Sequence, residues 1–124
     1  MEFQLNFDMT NTTINGRKYS ASSLSKQIRE MIKEKRLFIT RKETMGKPIA
    51  VNNVFSGVTS YRYNKGRCLF ETDLLTPAQK RWVTKTFEKG RPLATIEGIG
   101  TLDNDNIHVK RFRLTNLFLT NETT

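Results

Sequence analysis

The sequence predicts a mainly β domain with two helices, on three observations. The chain opens with period-two alternation, Phe3, Leu5, Phe7 and Met9 against Glu2, Gln4, Asn6 and Asp8. Thr76-Pro77-Ala78-Gln79 reads as a helix start, with an N-cap threonine, proline at the first helical position and glutamine reaching back from the third. Short β-prone runs punctuated by turn residues fill 37–73 and 93–119. A chain of 124 residues is the size of one domain, taken as 1–124. Leu, Ile, Val and Phe make up about a quarter of it, enough for a modest core and too much for a disordered chain.

In chain order, residues 2–9 read as a half-buried strand, and 10–20 as a polar stretch with a turn at Asn15-Gly16 followed by Arg17 and Lys18. Ser20, Ser22 or Ser23 can cap a helix over about 22–36. Leu24, Ile28, Met31 and Ile32 share one face of it, and Lys26, Arg29, Lys33 and Arg36 cluster beside that face. Leu37-Phe38-Ile39-Thr40 begins a strand that Met45-Gly46-Lys47-Pro48 interrupts and Ile49-Ala50-Val51 resumes, with Asn52-Asn53 as a bend before Val54 and Phe55. Residues 58–63 and 67–73 form a hairpin around Asn64-Lys65-Gly66. The capped helix spans about 77–88, with Ala78, Trp82, Val83 and Phe87 facing the core, Lys85 and Lys89 near its negative end, and Gly90 as its stop. Residues 93–102 form a strand whose Gly98 and Gly100 signal sharp coiling or a close backbone approach. Asp103-Asn104-Asp105-Asn106 is a turn into the last strand, 107–119. Its apolar phase moves from Ile107 and Val109 to Phe112 and Leu114, which requires a β-bulge near Lys110-Arg111. Leu117-Phe118-Leu119 is apolar on both faces, so it is buried or covered by a second subunit, for which the N-terminal strand is the other candidate. Asn121 to Thr124 should fray.

Three strands, a helix and a final strand pair is the chain order of an OB-fold, a five-stranded barrel that binds oligonucleotides. On that mapping 37–51, 54–63 and 67–73 are strands one to three, 77–88 is the helix, 93–102 and 107–119 are strands four and five, and the first strand and basic helix form an N-terminal extension. The alternative is an α+β ferredoxin-like order of strand, helix, two strands, helix, strand, which uses the N-terminus but lacks the aromatic signature of its RNA-binding version.

Lys and Arg number 21 against 12 Asp and Glu, a net charge of +9 and an isoelectric point near 10.0. That excess implies a polyanionic partner, nucleic acid before an acidic membrane. No apolar run is long enough to span a membrane. The N-terminus lacks the basic start and long apolar stretch of a signal peptide, so a cytoplasmic location is expected (the host cell's cytoplasm if the chain is phage-encoded). The lone Cys68 makes no intrachain disulfide and no cysteine-based zinc site, and no metal or cofactor is expected.

Catalysis is not expected. His108 is a lone strand histidine, Cys68 beside Leu69 and Phe70 reads as a packed small residue, and no phosphate-loop, dinucleotide or nucleophile-elbow motif is present. Glu97, Asp103 and Asp105 can in principle hold a nuclease metal, but the two aspartates have simpler employment in the turn. Binding has better support. Tyr61-Arg62-Tyr63-Asn64-Lys65-Gly66-Arg67 offers both things that single strands need, flat rings for bases and cations for phosphates. Tyr61 and Tyr63 share a strand face and Arg62 points away; the rings either stack bases or pack in the core. Arg41, Lys42 and Lys47 surround a glycine loop, and Lys110, Arg111 and Arg113 sit at the bulge. Each group lines a backbone groove or forms a solvated edge. Trp82, at helical spacing, reads as core. The basic face of 22–36 extends the phosphate path, enters a duplex groove or lies on a membrane, the last disfavoured by an apolar arc without Trp or Phe, or it is simply solvated, as Glu30 and Glu34 between its cations suggest.

On the basic hairpin at 61–67, the Thr76-Pro77-Ala78-Gln79 helix start and the strand pair 93–119, the chain resembles the small bacteriophage single-stranded DNA-binding proteins over about residues 37–119. The resemblance implies an OB-fold, binding of single-stranded DNA with little sequence preference, self-association as a dimer, and work beside replication or recombination proteins. Asn121-Glu122-Thr123-Thr124 departs from the acidic tail by which cellular relatives recruit partners. A small interaction protein, an inhibitor or connector whose basic face meets an acidic partner, is the alternative.

Overall fold

Six strands close into a barrel in the computed structural model, which describes residues 2–87, 89 and 91–121. The stop expected at Gly90 and the fraying expected of Glu122 to Thr124 lie outside the described residues. The elements in order are β1 (Glu2–Leu5), β2 (Thr13–Ile14), β3 (Arg17–Lys18), α1 (Ala21–Lys33), β4 (Phe38–Thr40), β5 (Val54–Asn64), β6 (Arg67–Thr72), α2 (Pro77–Thr86), β7 (Leu93–Leu102) and β8 (Val109–Thr120). The barrel runs β1-β6-β5-β4-β8-β7 and closes where β7 meets β1. The β1–β7 and β4–β8 contacts are parallel and the other pairings antiparallel.

The expected mainly β barrel with two helices is present, but two expectations are corrected. The first strand is not an extension. Phe3 pairs with Phe70 of β6, and Gln4 and Leu5 pair with Leu93 and Ala94 of β7, so β1 fills a gap that would leave two open edges. The barrel therefore has six strands rather than five, and its closure also excludes the open ferredoxin-like sheet. Of the segments expected at a subunit contact, part is covered by the chain itself, and Phe118 stays half-buried. Ile39 and Thr40 pair with Leu117 and Phe118, and Leu117 and Leu119 are buried.

Several strands are shorter than the pattern suggests. β1 leaves the ladder after Leu5, although Phe7 and Met9 stay buried, because Asp8 turns the chain by accepting from the Thr10 amide at 2.8 Å. β4 ends at Thr40, and the 41–50 stretch is a loop, with Met45 and Gly46 both at positive φ. Helix α1 is capped by Ser20, whose Oγ accepts from Ser23 N, and it ends at Lys33. Arg36 therefore lies beyond the helix, where it meets Glu34, while Lys26, Arg29 and Lys33 stay exposed on it. Gln27 docks α1 on β8, donating to Phe112 O at 2.9 Å and accepting from Leu114 N at 2.7 Å, so its amide extends the ladder as a short strand would.

The core joins Phe3, Leu5, Ile39, Phe70 and Leu117 from the barrel to Leu24 and Ile28 of α1, all essentially without solvent contact. Each contributes on the order of 1.5–3 kcal/mol by burial. The hairpin turn between β5 and β6 places Lys65 at φ 54° and Gly66 at φ 85°. Two successive positive φ values make a type I′ turn, which matches the strands' twist. A Cβ on Gly66 would also lie 2.3 Å from Asp8 Oδ1, so glycine is required twice over. The expected bulge is in place: Ile99 pairs with Arg113 and Thr101 with Lys110, with Arg111 extruded at φ 53°.

Candidate nucleic-acid interface

The side chains singled out in the sequence fall in three places. On the hairpin, Tyr61 lies opposite Phe70 and Tyr63 opposite Cys68. Directly opposed residues share a sheet face, and Phe70 and Cys68 are fully buried. Both rings therefore lie on the inner face, next to α1, and do not form an outward platform. Tyr61 packs against the core. Tyr63 keeps 45% of its surface exposed, meets Tyr61 edge to face at 5.4 Å, and has its hydroxyl 2.7 Å from Ser25 Oγ. Burial raises the Tyr63 phenol above its ordinary 10.0, partly offset by the Ser25 bond. Arg62 points outward as expected, but its Nε and Nη2 bind the Glu2 carboxylate at 3.0 and 3.1 Å. Lys65 and Arg67 remain exposed at the tip.

The second place is the loop after β4. Arg41 stands over two rings, 5.6 Å from the Trp82 centroid and 5.9 Å from that of Phe55. Its Nη1 donates to Asn52 O at 2.8 Å and Val54 O at 3.0 Å, so the guanidinium is held in one orientation. The capping box of α2 positions Trp82. Gln79 N donates to Thr76 Oγ1 at 3.2 Å, Thr76 N donates to Gln79 Oε1 at 2.7 Å, and Gln79 Nε2 ties the helix to Phe55 O at 2.8 Å. Trp82 packs against the core as expected, on Phe55 at 5.5 Å and Phe87 at 5.7 Å, but it is only partly buried. Arg41, Lys42, Lys47, Asn52, Asn53 and Trp82 line a cleft of about 640 Å³. Thr44 anchors the loop, its Oγ1 donating to Glu97 Oε1 at 2.6 Å. Glu97, a candidate metal ligand in the sequence, is thereby engaged as a buried loop anchor.

The third place is the β7–β8 arm. Lys110 is paired with Asp103 at 3.2 Å, while Arg111 at the bulge and Arg113 opposite Ile99 are exposed. Arg17 and Lys18, singled out only as following a turn, join this arm. Lys18 N donates to Ile107 O at 2.8 Å, and Lys18 bridges His108. Asp103 and Asp105 serve the turn as expected: Asp103 Oδ1 accepts from Asn104 N, and Asp105 Oδ1 accepts from the amides of Ile107 and His108. Cys68 is fully buried, which pushes its thiol up to about 12 and disfavours the reactive thiolate.

The Asp105 amide bonds, and then the His108 ring contact, hold its carboxyl down to about 2 from an ordinary 3.8. A depressed carboxyl contributes stability above its unfolded value that is lost as pH falls through the folded one. The 103–108 turn should thus stay closed at pH 4 and open as pH approaches 2. Protection of the His108 amide, its exchange measured against the intrinsic rate at each pH, should fall over that interval, and Asp105→Asn should remove the transition.

The chain matches no known family model, no curated protein and no solved structure. Among the described residues no helix is long and apolar enough to cross a membrane.

Proposed function

We propose that this protein binds single-stranded DNA with little sequence preference, without catalysing a reaction, in support of phage DNA replication or recombination. The observation that carries this reading is the state of its cations. Lys42, Lys47, Lys65, Arg67, Arg111 and Arg113 are exposed, and none forms an ion pair among the described residues. Unpaired positive charge held on a rigid barrel repels itself, and a phosphate backbone relieves that repulsion while releasing counterions. The barrel reads as OB-like, with β4 to β8 supplying the five strands of that pattern and β1 added between β6 and β7. Arg62 and Lys110, each with a carboxylate partner, contribute less than the unpaired group.

A polarisation titration with a labelled oligo-dT and with a duplex of equal length, each at 50 and 200 mM salt, tests the proposal. The single strand should bind more tightly, and its affinity should fall by at least about tenfold across that salt range. Equal affinity for both forms, or no binding at 50 mM, would remove the proposal. Capture of an acidic polypeptide in place of DNA would favour an interaction protein.

A further inference from the structure

We infer that the cleft between the 41–53 loop and α2 receives one unstacked nucleotide of the bound strand, its base against the Arg41 guanidinium and its phosphate near Lys42 and Lys47. The inference rests on the single-strand reading above and names a site that the hairpin tyrosines do not supply. Five observations converge on it. Arg41 lies over the Trp82 and Phe55 rings and also lines the cleft, so a flat cation is presented there on an aromatic floor. Its two bonds to backbone carbonyls fix the plane, so little side-chain freedom is lost when a base stacks on it. The cleft, about 640 Å³, is of a size that ordinarily holds small organic ligands. Its walls carry two exposed lysines and the amides of Asn52 and Asn53. The Asn53 Oδ1 is a buried acceptor without a partner among the described residues, while its Nδ2 donates to Lys42 O at 3.1 Å. A buried acceptor left unmet is costly, and an exocyclic amine of a base satisfies it after a small adjustment of the loop.

Simple anions do not account for this arrangement. A phosphate alone needs the lysines but not the Trp82 and Phe55 rings beneath Arg41. A base alone needs the stacked guanidinium but not Lys42 and Lys47. A nucleotide uses both, and stacking tolerates any base, in keeping with weak sequence preference.

Trp82 is the only tryptophan in the chain, so its emission reports on this cleft alone. A labelled oligo-dT reports binding anywhere on the protein through its polarisation. Titrating one with the other should raise polarisation and quench Trp82 emission with the same midpoint. Arg41→Lys, which keeps the charge but loses the plane, should weaken affinity about tenfold and remove most of the quench. If Arg41→Lys proves unstable, the exposed pair Lys42→Gln and Lys47→Gln should weaken binding without shifting the melting temperature. Rising polarisation with constant Trp82 emission would overturn the cleft and leave single-strand binding intact. Flat polarisation at 50 mM salt would remove single-strand binding and the cleft with it. Equal quenching by polyglutamate would overturn the nucleotide assignment, as would unchanged affinity in a folded Arg41→Lys protein.

Discussion

Replacing Gly98 with alanine should lower the melting temperature by about 10 °C or more, the largest effect expected of a methyl added at any described glycine. A Cβ there would stand 2.1 Å from the Arg113 carbonyl oxygen and 2.7 Å from Phe112 Cζ. Neither neighbour is free to retreat. Arg113 pairs with Ile99 in the β7–β8 ladder, and Phe112 is held edge to face by Tyr19 at 5.0 Å while its carbonyl accepts from Gln27. Relief therefore requires the strands to separate where the barrel passes into the arm, between the two register shifts at Glu97/Gly98 and Ile99/Thr101. Overpacking of this kind costs typically 1–3 kcal/mol, and a clash with backbone belongs at the upper end. Gly57→Ala is the matched control. Its nearest contact would be Asp73 Oδ2 at 3.4 Å, so it should melt within a few degrees of the parent. Thermal unfolding followed by circular dichroism measures both, and equal melting temperatures for the two variants would contradict the close approach.

The features legible in the sequence are those written in neighbouring residues. The capping box at Thr76 and Gln79, the bulge at Arg111 and the close approach at Gly98 all announce themselves through local pattern, and each is present. The sixth barrel strand was not legible, because the alternation in β1 shows that it has a buried face but not that both its edges are paired. The 41–50 loop fails as a strand for a similar reason. Its β-prone residues are outweighed by contacts from far along the chain, above all the bonds from Thr44 to Glu97. The inward placement of Tyr61 and Tyr63 was available in principle. A two-residue turn at Lys65-Gly66 sets Tyr63 opposite Cys68 and Tyr61 opposite Phe70, so the apolar face of β6 fixes the face of both rings. Arg41 over Trp82 gave no such signal. Helical spacing of an aromatic looks the same whether its far side meets core or a guanidinium from another loop.

Neutralising Lys42, Lys47, Arg67 and Arg113 together, each to glutamine, should flatten the salt dependence of single-strand binding by about 3 in log–log slope. All four side chains are exposed and none is ion-paired among the described residues, so their loss removes charge without opening the core; Arg67 has the Asp8 carboxylate within electrostatic reach but makes no ion pair with it. Each phosphate neutralised on a single strand contributes a slope of about −0.7, because counterion release scales with the number of contacts. Between 50 and 200 mM salt the parent should therefore lose roughly fifty times more affinity than the variant, a gap that polarisation titrations resolve easily. The melting temperature should stay within a few degrees of the parent, since exposed substitutions of this kind rarely exceed about 0.5 kcal/mol each. Arg62→Gln is the informative contrast. Arg62 is already bound to Glu2, so its loss should change the slope by less than a full contact. An unchanged slope in the fourfold variant would mean that the loop, hairpin tip and arm do not meet the phosphates. The excess charge would then serve a different acidic partner.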